Sequence, residues 1–479
     1  MWKNKILFVE PRGATSNIFQ NSIQHPLLGP LYMATQLKDA GYDVKMLKEN
    51  LADETTLINE LKIADTLILT LLTNSALRGY EIAKIYKKLR HDGWIIAGGI
   101  HVSLNPEEAL PFVDQVVIGE GPPIIKSLVD RKIRDRIVTS KPVDDLNSLP
   151  IPDLSLLINY RKLRLIPIMT SLGCPHGCSF CCVTKMFGRK YRFQNPDKTI
   201  AELKNHFQLL GKKRVFFYDD NFCANKGNSL ELFDKIEKDN LKFLWVCQVR
   251  ADVAKDELFV KRMAEVGCRR VFIGFESIND KTLNDFHKNI SIDEIEKAVK
   301  VFHKFGIAIH GMFIFGSDRD DHDVFENTVN FCIQKGIESA QFISITPFPC
   351  TEFWNELDQA RLVYKSYDDY DGFHVTVLPK QMTEYELMQG ILYAHDKMYS
   401  WHRIYLQIIR DLKFILLNNN RSFSYKILKA INNFKRNFVF RIIIKRWKNT
   451  HQEYREYLKE KHLQTNQPNK TSSISFERL

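Results

Sequence analysis

The short segment CPHGCSFCC places four of the chain's nine cysteines between Cys174 and Cys182. Within it, Cys174, Cys178 and Cys181 have the spacing C-x3-C-x2-C, and Phe180 stands directly before the third cysteine. A structural zinc site usually closes a tetrahedron with paired cysteines, and no second pair follows here. Three thiolates in one loop favour an iron–sulfur cube with one iron open to a further ligand, which suits catalysis. Zinc or an unliganded reactive pair is the alternative, and Cys182 is interpreted as a bystander.

The composition and the use of cysteine predict a cytoplasmic protein. Nine is an odd number and no cysteine precedes Cys174, so a disulfide framework is not indicated. Hydrophobic residues make up 44% of the chain and charged residues 26%, which is ordinary for a globular protein. We recognise neither a signal peptide nor the roughly 18 apolar residues of a membrane-spanning helix. The 479 residues predict two or three domains.

The positive charge is concentrated near the C-terminal end. The whole chain carries +11, and residues 401–450 alone contain 12 Lys and Arg against one acid, Asp411. Within 422–447, apolar residues recur at helical spacing, namely Phe423, Ile427, Ile431, Phe434 and Phe438. We expect this basic amphipathic helix to pack its apolar stripe on the rest of the protein. Contact with an anionic membrane surface is the next interpretation, and nucleic-acid binding is the least favoured.

Strands and helices alternate over residues 1–140. Five short apolar strands are predicted, and the last two end at glycines: 5–10, 43–47, 66–72, 94–99 and 115–121. This pattern favours an α/β fold with a Rossmann-like, doubly wound parallel sheet. Ligands of such sheets bind beyond the carboxyl ends of the strands. Residues 141–160, rich in Pro and Asp, are predicted to be a linker.

A second alternating unit is predicted over residues 161–350. Its six strand candidates are 165–171, 214–222, 243–252, 269–277, 307–316 and 339–349. The simplest interpretation is a partial (β/α)6 barrel. The cysteine segment follows its first strand, at the carboxyl end where barrel sites are built. Residues 351–464 are predicted to be mostly helical and 465–479 to be a disordered tail.

The sequence resembles the radical S-adenosylmethionine (SAM) enzymes. The C-x3-C-x2-C motif at the first barrel strand is their hallmark, and FYDDNF (217–222), VRAD (249–252), GFES (274–277) and GMFIFG (311–316) fit the later strands. The N-terminal segments GGIHVSLNPEEAL and VVIGEGP are similar to the cobalamin-binding domain of the B12-dependent branch, which includes class B methyltransferases and anaerobic cyclases. The resemblance covers roughly residues 5–390.

The resemblance implies a [4Fe-4S] cluster on Cys174, Cys178 and Cys181, with SAM bound at the open iron and cleaved there to a 5′-deoxyadenosyl radical. Phe180 would then lie near the adenine. Four polar residues at strand ends would hold the methionine and ribose parts of SAM, namely Asp219, Asp220, Arg250 and Glu276. An acid at a strand end is also a common helix cap or ion-pair partner, and that alternative stays open for each of them.

The resemblance also implies bound cobalamin. The motif D-x-H-x-x-G, which supplies an axial histidine in some cobalamin domains, fits none of His25, His91 and His101. We therefore expect the lower face of cobalamin to be free of a protein histidine. The pocket candidates are threonines for hydrogen bonds and a set of strand-end residues dominated by glycine for close approach, namely Thr70, Thr73, Gly98, Gly99, Gly119, Glu120 and Gly121. Ordinary turn residues of a Rossmann-like sheet are the alternative.

The leading functional hypothesis is a cobalamin-dependent radical SAM methyltransferase that acts on an unactivated carbon of a small-molecule or lipid substrate. A B12-dependent oxidoreductase, cyclase or rearrangement enzyme is the main alternative, and a cofactor-binding sensor without turnover is less favoured. The expected partner is a low-potential electron donor such as a flavodoxin or ferredoxin. Peripheral contact with a membrane through 422–447 is a further expectation, whereas nucleic acid is not expected.

Overall fold

The computed structural model describes residues 4–14, 24–363, 366–417 and 423–465. Its first sheet is fully parallel, with the strand order β2-β1-β3-β4-β5-β6. The strands are β1 (Lys5–Glu10), β2 (Asp43–Lys48), β3 (Thr66–Thr70), β4 (Trp94–Gly98), β5 (Gln115–Ile118) and β6 (Ile137–Thr139). Five of them were predicted. The sixth, β6, was missed because three residues at a sheet edge give too short an apolar run.

Apolar residues on both faces of the central strands explain why helices cover the first sheet on both sides. Ile6 and Phe8 pack into one core, and Leu7 and Val9 pack into the other. The helices of this unit are α1 (Leu28–Asp39), α2 (Glu54–Ile63), α3 (Ala76–Leu89), α4 (Ile100–Leu104), α5 (Pro106–Ala109) and α6 (Ile125–Val129). The Rossmann-like architecture is confirmed.

The second large sheet is the predicted partial barrel, with six parallel strands in the order β14-β13-β12-β11-β10-β7. A separate antiparallel pair, β8 with β9, lies beside it. The strands are β7 (Leu165–Ile168), β8 (Ser171–Leu172), β9 (Arg192–Phe193), β10 (Arg214–Phe217), β11 (Trp245–Val249), β12 (Cys268–Glu276), β13 (Ala308–Phe315) and β14 (Ser339–Ser344). The helices are α7 (Val183–Phe187), α8 (Pro196–Leu210), α9 (Lys226–Lys238), α10 (Glu257–Glu265), α11 (Asp280–Asp285), α12 (Ile292–Lys304) and α13 (Val324–Gln334).

The segment predicted to be a linker packs closely against the first sheet. Its buried leucines belong to one of the two cores of that sheet, namely Leu146, Leu149, Leu154 and Leu157. Short 3₁₀ turns at Leu146–Ser148 and Leu154–Leu156 fold it back. Pro and Asp indicated a linker, and the leucines between them bury apolar surface on the first sheet.

The C-terminal part is helical, as expected. Its helices are α14 (Glu352–Glu356), α15 (Glu384–Met398), α16 (Trp401–Leu417), α17 (Phe423–Thr450) and α18 (Gln452–Thr465). The tail predicted to be disordered falls, apart from Thr465, outside the described residues. Among the residues described, no helix has the length and apolarity needed to cross a membrane.

The apolar stripe predicted in 422–447 does not pack on the barrel as expected. Of its residues, Phe423 is 66% exposed and Ile431 is 44% exposed. The face of α17 that enters the barrel core lies further along the helix and includes Ile444 and Trp447. Helical spacing identified an apolar face correctly, but spacing alone cannot say whether that face points inward.

Candidate active site

The cysteine loop is held at its base by the ribbon of β8 and β9. Ser171 pairs with Phe193 and Leu172 with Arg192, so the two ends of the cysteine loop lie side by side. Gly173 has φ +85, and a Cβ there would lie 2.6 Å from the carbonyl oxygen of Lys190. This position therefore requires glycine. The amide of Cys181 donates to the carbonyl of Cys178 over 3.1 Å, which closes the turn between these two cysteines.

The three motif cysteines are free thiols in a half-buried setting. Burial raises the pKa of Cys174 and that of Cys181, so a thiolate at either position needs a nearby positive charge. No three His, Cys, Asp or Glu side chains in the described ranges converge closely enough to ligate a single ion. A cube binds each of its cysteines through a different iron, so three thiols spread along one loop fit an iron–sulfur cluster.

Arg250, predicted as a SAM contact, follows β11 and brings a cation next to the cysteine loop. Its Nη1 lies 3.9 Å from Sγ of Cys178, and its Nη2 donates to the carbonyl of Lys288 over 2.5 Å. The buried Nε has no hydrogen-bond partner, since the nearest carboxylate oxygen, on Asp252, is 3.6 Å away. Oδ1 of Asn221 is also buried without a partner. Such atoms are satisfied when a polar ligand binds beside them.

Glu276 ends β12 in a strained, buried position. Its φ is +64, in the left-handed region that few residues other than glycine adopt, and the register with β13 shifts between Gly274 and Glu276. Its Oε1 accepts a hydrogen bond from Nζ of Lys288 over 2.7 Å. Lys288 was not predicted as a site residue. No motif marks it in the sequence, and only the fold brings its buried ammonium group to the strand end.

The adjacent acids Asp219 and Asp220 have different surroundings. The carboxylate of Asp219 is fully buried and accepts hydrogen bonds from the amide and hydroxyl of Thr170 and from the hydroxyl of Ser171. It thereby ties the end of β10 to the start of the cysteine loop. Asp220 makes no hydrogen bond or ion pair with the described residues. Its exposed surface faces a cavity, where desolvation, with a contribution from Asp219, raises its pKa to about 7.

Phe180 lies on the barrel side of the cysteine loop. Its ring contacts that of Phe286 edge to face, with 5.2 Å between the centroids. Both rings join a small apolar cluster that includes Ile314 and Ile345. The side chain is therefore positioned by packing against the carboxyl end of the barrel.

A cavity of about 500 Å³ lies between the two large sheets. All seven residues predicted as the cobalamin pocket line it: Thr70, Thr73, Gly98, Gly99, Gly119, Glu120 and Gly121. The barrel side contributes Met169, Tyr218, Asp220 and Cys182, so the residue interpreted as a bystander to the metal faces this space. Most other lining side chains are apolar, as in most small-molecule and cofactor sites. The cavity thus connects the glycine loops of the first sheet with the cysteine loop.

The backbone conformation requires glycine at Gly99 and Gly119, which line the cavity, but not at Gly98. Gly99 has φ +100, and a Cβ there would lie 2.7 Å from the carbonyl oxygen of Leu71. Gly119 has φ +88 and approaches the carbonyl of Ser140 in the same way. At Gly98, by contrast, a Cβ would meet only Val117, at 3.9 Å. The absence of a side chain at Gly98 leaves room in the cavity rather than relieving strain.

Glu120 joins the first sheet to the cysteine loop. Its carboxylate lies 2.6 Å from Nη2 of Arg192 in β9, and both side chains are buried. Glu120 also accepts from the amide of Val143, and Arg192 donates to the carbonyl of Val143. The sequence did not reveal Arg192, because this pairing spans 72 residues. The ion pair fixes how the loop sits on the edge of the cavity.

Two family models match the chain in the places where these sites lie. The B12 binding domain matches residues 22–129, and the radical SAM superfamily matches residues 168–332. The first range contains the glycine loops of the cavity. The second contains the cysteine loop and the barrel strands β10 to β13.

Two curated relatives are similar over most of the chain. An uncharacterised methyltransferase of Pyrococcus horikoshii is 30% identical over 359 residues, which cover 69% of this chain and 78% of the relative. The bacteriochlorophyllide d C-12(1)-methyltransferase of Chlorobaculum tepidum is 28% identical over 411 residues, covering 83% of this chain and 88% of the relative.

A solved structure has the same fold. The cobalamin-dependent S-adenosylmethionine radical enzyme OxsB, with aqua-cobalamin and S-adenosylmethionine bound, superimposes with a TM-score of 0.67 at 14% identity. The match covers 97% of this chain and 81% of that protein. Both family models match this chain, and the relative from Pyrococcus horikoshii is 30% identical over 69% of it. This chain therefore belongs to the family of cobalamin-binding radical SAM enzymes.

Proposed function

We propose that this enzyme methylates an unactivated carbon of a small-molecule or lipid substrate. The observation that carries the proposal is the single cavity that the cobalamin-type sheet and the cysteine loop share. When bound, the [4Fe-4S] cluster with SAM supplies a carbon radical, and cobalamin supplies a methyl carrier. A shared cavity allows one substrate atom to meet both.

The residues of the cysteine loop and its neighbours are proposed to bind the cluster and SAM. Cys174, Cys178 and Cys181 provide the thiolates. Arg250 adds positive charge beside Cys178, its Nε makes no hydrogen bond within the protein and is offered to an anionic group, and Asn221 offers a buried acceptor. Glu276, held by Lys288, places a carboxylate at the end of β12. Phe180 supplies an apolar face for the adenine.

The lining of the large cavity is proposed to hold cobalamin. Gly99 and Gly119 bring backbone close to the ligand, and Thr70 and Thr73 offer hydroxyl groups to its amides. The apolar remainder of the wall, including Met169 and Leu172, excludes water from the reacting groups.

The electron donor is proposed to approach the cysteine loop where Lys185 and Arg189 lie beside it. A smaller cleft of about 130 Å³ there is lined by Cys178 and Cys181 together with Lys185 and Arg189. Both basic side chains are exposed. They would attract an acidic low-potential protein such as a flavodoxin or ferredoxin to the cluster, since complementary charge steers encounter.

The test is anaerobic purification and reconstitution with iron, sulfide and cobalamin, followed by SAM and a low-potential reductant. Mass spectrometry should detect both 5′-deoxyadenosine and S-adenosylhomocysteine. Cys178→Ala should lose the iron and the 5′-deoxyadenosine, whereas Cys182→Ala should keep the iron. 5′-Deoxyadenosine without S-adenosylhomocysteine would favour an oxidoreductase, cyclase or rearrangement enzyme. Neither product from a loaded enzyme, with candidate substrates added, would favour a sensor.

A further inference from the structure

Helices α16 and α17 form a hairpin whose outward side is apolar. We call this side the outer face of the hairpin. On each helix its residues recur at steps of three and four, so they form one stripe per helix. They are Trp401, Tyr405, Ile408, Leu412 and Leu416 on α16, and Leu428, Ile431, Phe434, Phe438 and Ile442 on α17.

The inward side of the hairpin buries a set of polar side chains beside its apolar core residues. Arg403 donates to Oδ1 of Asn437 over 3.3 Å and to the barrel carbonyl of Ile337 over 2.7 Å. Asn433 donates to Asp411 over 3.0 Å. All four polar side chains are buried. These bonds hold the hairpin in one orientation, so its apolar side cannot simply turn inward.

The two outer stripes adjoin and make one surface. The rings of Trp401 and Phe438 lie 6.1 Å apart across the helix pair, and the guanidinium of Arg441 lies over the Trp401 ring. Exposure is large along this surface, reaching 61% at Tyr405 and 76% at Leu416. A contiguous apolar surface of this kind marks an interaction site.

The charges around the outer face are almost all positive. Five described cations in the hairpin are exposed, namely Arg410, Lys413, Lys435, Lys445 and Arg446. The one acid between residues 401 and 450 is Asp411, which is buried on the inward side. A second copy of the hairpin would therefore meet like charge, whereas an anionic surface would meet opposite charge.

We propose that the outer face docks on an anionic lipid bilayer, with its apolar stripes at the acyl boundary and its lysines and arginines on the headgroups. Apolar side chains combined with flanking Lys and Arg are the composition of helices that lie in a membrane interface. Trp401 and Tyr405 are residue types enriched at that depth. Because Ile444 and Trp447 of α17 are packed in the barrel core, docking would hold the catalytic barrel at the membrane surface.

The test is co-sedimentation of the full-length protein with vesicles of phosphatidylcholine alone and of phosphatidylcholine with about one-third phosphatidylglycerol. The wild type should bind the anionic vesicles and bind the neutral ones more weakly. Leu412→Glu/Leu416→Glu should lower binding to anionic vesicles at least about tenfold, because it puts two carboxylates where apolar contact is needed. Lys413→Glu/Lys435→Glu should lower the same binding through charge alone.

The matched control is Leu258→Glu in α10, a leucine that is 75% exposed outside the hairpin and should leave binding unchanged. Failure of the wild type to bind, equal binding to neutral vesicles, or an equal loss in Leu258→Glu would overturn the proposal. So would light scattering that shows a dimer which Leu412→Glu/Leu416→Glu dissociates, since a second copy would then cover the face. The assay needs no turnover, so it is independent of the proposed methyl transfer.

Discussion

At the scale of single residues, Asp219 and Asp220 show how two identical side chains serve different purposes. Asp219 accepts hydrogen bonds from Thr170 and Ser171 and so fixes the start of the cysteine loop. Asp220 projects into the cavity with no protein partner among the described residues. We expect it to meet a cofactor or substrate there. The sequence pair DD predicted both as ligand contacts, and only the fold separates them.

The titration of Asp220 gives a prediction for stability. Its pKa is about 7 in the folded protein and near 3.8 when unfolded. Above about pH 7 the folded state carries an unfavourable charge, and this cost disappears as pH falls toward about 4. Asp220→Asn should therefore raise the melting temperature of the cofactor-free protein more at about pH 8 than at about pH 5. The surface substitution Asp144→Asn is the control. The same rise in melting temperature at both pH values would contradict a raised pKa for Asp220.

At the scale of elements, the ribbon of β8 and β9 decides where the cysteine loop sits. It is anchored to the first sheet by the buried pair of Glu120 and Arg192. Glu120 was predicted as a cofactor contact from its place in GEG, and it does line the cavity. Its carboxylate nonetheless has a partner in the protein, which suggests that it positions the loop as well.

Replacing Arg192 should lower the free energy of unfolding substantially. Arg192→Leu leaves the Glu120 carboxylate buried without its partner, and we expect a loss of about 3–5 kcal/mol in the free energy of unfolding. The nearby pair of Lys190 and Asp144 is exposed, so Lys190→Ala should cost only about 0–1 kcal/mol. Urea denaturation of both cofactor-free variants compares them. Similar values for the two would show that the buried pair does not anchor the loop.

The elements themselves were mostly predictable. Buried strands such as β1 and β3 appear in the sequence as short continuous apolar runs, so their positions followed from pattern alone. The orientation of α17 did not follow. Part of its inward face is formed by Asn433 and Asn437, whose burial depends on partners that are distant in sequence.

At the scale of the whole molecule, two parallel sheets present their carboxyl edges to one cavity. Each edge was predicted separately, the first from glycines and threonines and the second from the cysteine motif. No motif in the sequence marks their juxtaposition, because it depends on contacts such as that of Glu120 with Arg192, 72 residues apart. We infer that one chain holds the two cofactors at separate ends of this shared cavity.

The most direct test measures iron and cobalamin per chain after reconstitution of the wild type, Cys178→Ala and Gly98→Leu. We predict about four irons and one cobalamin in the wild type. Cys178→Ala should lose the iron and keep cobalamin. Gly98→Leu should lose cobalamin and keep the iron, because its side chain enters open cavity space beside Val117. Cobalamin retained at full affinity in Gly98→Leu would contradict the account.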